Sequence, residues 1–271
     1  MSAVLFEGCQ LSYTVRGSGP PVLLIQGVGV QGDAWTPQTD DLARDFTCVT
    51  FDNRGMAASQ PAAPPITVEQ MARDAIAILD AAGIDFAHVI GHSLGGVVAL
   101  QVAITAPARV RSLALLCTFS GGKAAAPPTP RMIWLGARTR IGTRRMRRHA
   151  FLELVMPPGP IADADRLAER VAGLFGHDLA DQPPIVGSQL RALRQSDTSP
   201  RLHELSRFPV MVMSGRHDPI GPPASGRALA AAIPGARYIE VEDASHGLPI
   251  SHAALTNATL RDHLRIEFPS L

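Results

Sequence analysis

Lysine is almost missing from this chain: Lys123 stands alone among 25 basic residues, so arginine carries the positive charge throughout. An excess of one sign is missing too. The 25 basic residues meet 24 acidic ones, for a formal net charge of +1, which leaves no electrostatic reason to bind nucleic acid or an anionic membrane. Cysteine is sparse and odd in number. Cys9, Cys48 and Cys117 sit in apolar, strand-like contexts, with no CxxC pair and no histidine at zinc-ligand spacing. They read as buried free thiols, which fits a reducing compartment. No stretch reaches the ~18 consecutive apolar residues of a membrane span, and the first residues lack the basic segment and apolar run of a secretory signal. A cytoplasmic protein with no membrane partner is expected.

Apolar residues are plentiful, at 46% of 271 residues, and spread along the whole length, so a folded core is expected and disorder is not. The length suits one α/β domain carrying an insertion. Short, near-continuous apolar runs at 21–25 (PVLLI), 47–51 (TCVTF), 87–90 (AHVI) and 112–117 (SLALLC) predict strands buried on both faces. Residues 10–15 alternate and predict a half-exposed strand; 210–214 (VMVMS) and 237–241 (RYIEV) predict two more. Helical spacing marks 67–82, where Thr67 and Gln70 make a capping-box signature and Gly83 a stop. Residues 94–106 are apolar nearly all round and predict a buried helix, with further helices at 224–232 and 252–266. The alternation predicts an α/β fold: a mostly parallel central sheet with helices on both faces.

Residues 120–207 break this rhythm with Pro/Gly clusters, helical pieces such as 164–174, and no convincing strand. They predict an inserted, mainly helical lid (120–207) on a core made of 1–119 and 208–271. Within it Arg138, Arg140, Arg144, Arg145, Arg147 and Arg148 form a basic run, either a solvated helix face or a landing site for an anion.

The strongest chemical signal is Gly91-His92-Ser93-Leu94-Gly95-Gly96, between a predicted strand and a predicted helix. A strand that turns abruptly into a helix holds Ser93 in a strained conformation and lifts its hydroxyl clear of the sheet. Gly91 and Gly95 give that turn room. Serine needs a base, and the base needs a group to orient it. Asp218, after VMVMS, and His246, after RYIEV, follow Ser93 in the chain order Ser, acid, His. His217 is a rival base and Asp243 a rival acid. Donors for an oxyanion are expected from the backbone N–H of Leu94 and, in the Gly-rich loop 26–30, of Val28. Dinucleotide spacing fails in that loop, and no P-loop lysine exists.

On these landmarks the chain resembles α/β-hydrolase-fold enzymes across essentially its full length: the loop 26–29, the segment 51–59 (FDNRGMAAS), the elbow 91–95, and the loops at Asp218 and His246. It is most similar to the lidded serine esterase, enol-lactonase and perhydrolase branch. Two positions depart from that pattern: Gln26 replaces the usual histidine and Ala57 a usual glycine. The resemblance implies acyl transfer through Ser93, with His246 as base and Asp218 as its partner, and without metal or organic cofactor. It implies a small-molecule ester, lactone or related carbonyl substrate under the lid. Trp134, Phe151, Met156, Phe175 and Leu190 are candidates to contact it, with packing inside the lid as the alternative for each. A carbon–carbon hydrolase of ring-cleavage diketones, with Arg191 or Arg194 holding a dienolate, and a biosynthetic acyl-transfer or cyclisation enzyme remain open. So does a ligand-binding sensor on the same fold.

Overall fold

A computed structural model describes residues 1–62, 66–122 and 129–266. The alanine- and proline-rich run 123–128, with Lys123, and residues 267–271 of the second core segment lie outside the described residues. Eight strands make one sheet: β1 (Ser2–Phe6), β2 (Cys9–Arg16), β3 (Pro21–Ile25), β4 (Thr47–Phe51), β5 (Ala87–His92), β6 (Val110–Leu116), β7 (Val210–Gly215) and β8 (Arg237–Val241). Their spatial order is β1-β2-β4-β3-β5-β6-β7-β8. β2 pairs antiparallel with β1 and β4; the remaining pairings are parallel. The expected strands all form. β1 forms in addition to them, an edge strand whose apolar residues are exposed or half-buried.

The continuous apolar runs follow from coverage on both sides. Leu23 and Ile25 of β3 join one core cluster, while Val22 and Leu24 join the other. Val212 and Met213 of β7 divide the same way. The first cluster is covered by α2 (Val68–Ala81), α3 (Leu94–Thr105) and α8 (Pro223–Ala232). The second is covered by α1 (Thr36–Leu42), α9 (Leu248–Ser251) and α10 (Ala253–Leu264). The helix expected over 252–266 is thus shorter, and His252 separates it from α9. All three cysteines are free and buried.

Helix α2 starts and stops where its sequence says. The Thr67 hydroxyl accepts the Gln70 N–H at 3.0 Å, and Gly83 closes the end at φ +68°. The capping box is only half made, because the Gln70 side chain donates to Asp74 Oδ1 at 3.0 Å instead. The reason lies in a buried ion pair. Arg54 and Asp74, each 1% exposed, meet through two hydrogen bonds, 2.9 Å from Nε and 2.6 Å from an Nη. Arg54 also donates to the carbonyls of Phe6 and Glu7, which ties the β1–β2 turn to α2.

Between β6 and β7 come α4 (Pro130–Arg138), α5 (Arg144–Val155), α6 (Ala164–Phe175) and α7 (Val186–Gln195). α5 and α6 build a third apolar cluster around Leu152, Val155, Ala168 and Val171, against which Ile220, from the loop after β7, and Ile250 of α9 pack. The basic run is not simply solvated. Arg144 and Arg148 converge on Asp178, Arg145 meets Asp165 and Arg138 meets Glu153. Asp178 is held well below the usual carboxylate range, chiefly by its Arg148 hydrogen bond. No helix among the described residues is long and apolar enough to cross a membrane.

Replacing Asp74 by alanine leaves Arg54 charged and buried without its partner. Urea denaturation should show a loss of about 3–5 kcal/mol; a loss under about 1 kcal/mol would mean that the pair is not structural. Two buried imidazoles predict acid sensitivity. Burial lowers His88, bonded to Ser112 Oγ at 2.7 Å, to about 4, and also lowers His263 to about 4. Both lie below the ordinary ~6.5, so the unfolded chain takes up protons first as pH falls. The stability this gives is complete above pH ~6.5 and is lost as pH drops toward 4. His263→Leu should flatten the slope of unfolding free energy between pH 6 and 4.5 by about 1 kcal/mol per pH unit; an unchanged slope would refute the assignment.

Candidate active site

The three sequence-predicted side chains come from carboxyl ends of parallel strands. Ser93 lies between β5 and α3, Asp218 in the loop after β7, and His246 in the loop after β8. Ser93 sits at φ +56°, ψ −121°, a conformation an L-residue holds only when its surroundings impose it. They do. A Cβ on Gly91 would stand 2.3 Å from the Gly95 carbonyl oxygen, and one on Gly95 2.1 Å from that of Ile25. Only glycine permits the strand, the turn and the first helical turn to touch through their backbones. The Ser93 N–H is held by the Leu116 carbonyl at 3.0 Å, and its carbonyl accepts the Thr118 hydroxyl at 2.7 Å.

Asp218 is buried, and its Oδ2 lies 2.8 Å from His246 Nδ1. Its Oδ1 accepts the N–H groups of Ile220 and Gly221, both at 2.8 Å. Burial alone would raise this carboxyl. The adjacent His246 and those hydrogen bonds outweigh it, so Asp218 lies below the usual value and stays ionised. His246 Nε2 has no hydrogen-bond partner among the described residues, and the His246 ring and Ser93 line one cavity of about 240 Å³. No hydrogen bond joins the Ser93 hydroxyl to the imidazole in this state. His92 braces the arrangement from the elbow: its Nε2 donates to the His246 carbonyl at 2.9 Å, and the two rings stand 4.9 Å apart. Burial lowers His92 to about 3, so it is a neutral brace. The rivals lie elsewhere. His217 is exposed, and Asp243 is exposed and paired with His252 at 3.2 Å.

The loop after β3 presents a patterned set of amides. The Gly27 N–H goes to Gln26 Oε1 at 3.2 Å and the Gly29 N–H to Gln189 Oε1 at 2.8 Å. The Val28 N–H between them has no acceptor among the described residues, and neither has that of Leu94 at the start of α3. Asn53 Nδ2 anchors the Gln26 carbonyl at 3.0 Å, and Asp52 accepts the Gly32 N–H at 2.9 Å. Gln26 therefore makes a bond within its own loop and lines the cavity. Ala57 adopts φ +37°, the left-handed backbone that accounts for glycine being usual there.

Of the five apolar candidates, Phe151, Met156, Phe175 and Leu190 line the cavity. Trp134 does not. It is 56% exposed on α4, with the Arg138 guanidinium 4.6 Å from its ring centroid, so a charged neighbour and solvent occupy its faces instead of ligand. Val186 and Leu193 line the cavity as well. They sit four residues before and three after Leu190, so helical spacing along α7 could have found them. Gln189, which faces the loop rather than the void, carries no such signal. Arg191 and Arg194 are exposed and take no part in the lining.

One group could be asked to hold a metal: ligand atoms of His92, Cys117 and His246 fall within 4.8 Å of one another. The donors are poorly suited to it. One nitrogen of each imidazole is already bonded, and burial holds the Cys117 thiol well above its ordinary value, against the thiolate a metal needs.

A sequence model of the alpha/beta hydrolase fold family matches residues 20–253. The RutD protein of Azorhizobium caulinodans, a proposed carbamate hydrolase, is 32% identical over 240 residues, covering 87% of this chain and 88% of that one. The crystal structure of the enol-lactonase from Burkholderia xenovorans LB400 superposes with a TM-score of 0.81 at 26% identity, covering 98% of this chain and all of that one. Est816, described as an N-acyl homoserine lactone degrading enzyme, superposes with a TM-score of 0.79 at 25% identity over 96% of this chain and 99% of that one.

Proposed function

The chain belongs to the alpha/beta hydrolase family, and on that premise we propose that it is a serine hydrolase cleaving a carboxylic ester or lactone through an acyl-enzyme on Ser93. One observation carries this reading: the strained serine shares a cavity with an imidazole whose far nitrogen is bonded to a buried carboxylate. His246 Nε2 takes the proton as Ser93 Oγ attacks the carbonyl, and ionised Asp218 fixes the tautomer and stabilises the imidazolium. The negative charge that develops on the carbonyl oxygen meets the two unpaired N–H groups of Val28 and Leu94. Collapse expels the alcohol with the proton from His246, and water, activated by the same nitrogen, releases the acid. Residues 120–207 act as a cap that roofs the acyl site on the core formed by 1–119 and 208–271. The free, buried thiols fit a cytoplasmic setting.

The lining also speaks to the substrate. Phe151, Phe175, Leu190 and Ile220 make it largely apolar, no arginine or lysine among the described residues faces it, and Asp181 is a carboxylate on its wall. A charged carboxylate on the acyl chain would be desolvated there without a partner. We therefore assign an uncharged, apolar acyl group. Arg191 and Arg194, the candidates for holding a dienolate, are exposed and outside the cavity, which favours the ester or lactone reading over carbon–carbon hydrolysis.

A fluorophosphonate probe followed by peptide mass spectrometry should add one phosphonyl group to Ser93. Ser93→Ala should abolish labelling, and His246→Ala should cut ester turnover by about 10⁴-fold or more; an unlabelled Ser93 in folded protein would sink the assignment. For substrate charge, kcat/KM on p-nitrophenyl hexanoate should exceed that on the mono-p-nitrophenyl ester of adipic acid by about 100-fold or more. Equal values would show that the acyl site tolerates an anion.

A further inference from the structure

Val28 stands between Gly27 and Gly29, and Gly29 is at φ +70°. A peptide flanked by two glycines has little intrinsic resistance to rotation, yet an oxyanion donor works only when its direction is set before the charge appears. The restraint comes from across the molecule. Gln189 Oε1, on α7, accepts the Gly29 N–H at 2.8 Å, and His177 Nε2, just after α6, donates to the Gly29 carbonyl at 2.9 Å. Both polar groups of Gly29 are thus held by the segment between β6 and β7. Gln189 is fully buried, and its Nε2 has no partner among the described residues, so the hydrogen bond its side chain makes there is the bond to this loop. Val186 of the same helix lies where a side chain at Gly29 would point, with its Cγ2 2.9 Å from that Cβ position. The loop and α7 are fitted to each other at this residue.

We propose that Gln189 and His177 are positioning residues that aim the Val28 N–H, so that the oxyanion hole is complete only while α7 is docked on the loop after β3. The inference rests on the serine-hydrolase reading above. It makes the inserted segment part of the catalytic geometry as well as a roof: moving α7 away to admit substrate also releases the donor.

The test compares wild type, Gln189→Leu, His177→Leu and the double variant, each shown to be folded by circular dichroism. On p-nitrophenyl butyrate, Gln189→Leu should lower kcat roughly 10- to 100-fold, with KM changed less than about two-fold. His177→Leu should move kcat the same way, and the double variant should lose less than the product of the two, because both side chains hold one residue. An alkyl trifluoromethyl ketone, whose adduct with Ser93 places an oxyanion in the hole, should weaken by the factor lost in kcat. The corresponding methyl ketone, a ground-state competitor, should keep its affinity. A role confined to packing would raise KM and weaken both ketones together, and would overturn the proposal. So would unchanged kcat in folded Gln189→Leu, or, if that variant does not fold, in His177→Leu. If wild type itself is not labelled by fluorophosphonate at Ser93, the serine-hydrolase reading falls and takes this one with it. Labelled wild type with indifferent variants defeats only the positioning role.

Discussion

The structure turns on backbone touching backbone where β5 becomes α3. With side chains absent at Gly91 and Gly95, the first turn of α3 presses onto the end of β3, and the loop after β3 is brought beside Ser93. That contact forces Ser93 to φ +56°, at a cost of about 1–3 kcal/mol. The offset is local. Val97, Val98, Leu100 and Val102 of α3 are fully buried, and each such side chain contributes about 1.5–3 kcal/mol. Helix packing against β5 and β6 therefore over-determines the turn, and the strain persists at the one residue where a protruding hydroxyl is useful.

What was legible in the sequence was what local chemistry dictates. Strands β3 and β4 have the bounds their apolar runs predict, because alternate residues of each are claimed by the two core layers, and β8 has the bounds predicted for it as well. The elbow could be read because its glycines have no alternative, and Asp218 and His246 because each follows a strand in a loop of distinctive composition. Residues whose meaning depends on distant partners could not be read this way. Gln70 has the spacing of a capping box, but a buried carboxylate four residues on draws its side chain away. Trp134 has the character of a pocket residue, yet α4 turns it outward beside Arg138. Gln189 and Gly29 are 160 residues apart, and nothing near either one announces the other.

The segment between β6 and β7 is built by different means from the sheet domain. Its own apolar cluster is small, and arginines from α5 reach acidic residues of α6 and of the turn beyond it. Exposed pairs of this kind add little individually; the two that share Asp178, from Arg144 and Arg148, together fix how α5 lies on its neighbours. The same segment meets the sheet domain through backbone contacts as well: the Gly247 N–H, one residue after His246, donates to the Val155 carbonyl at 2.6 Å. The loops carrying the proposed base and the proposed oxyanion donor are both bonded to the segment between β6 and β7, so its orientation and the site's geometry are not independent variables.

The three thiols give the molecule a built-in clock. Burial raises Cys9, lifts Cys48 to about 11, and holds Cys117 well above its ordinary value, so alkylating reagents find almost no thiolate while the fold is closed. Cys9 belongs to the α2–α3 side of the sheet, and Cys48 and Cys117 to the other. The rate at which each sulfur is captured thus times the opening of its own layer, and a faster rate at Cys117 than at Cys9 would mean that the layer under α1, α9 and α10 breathes before the one under α2 and α3 comes apart.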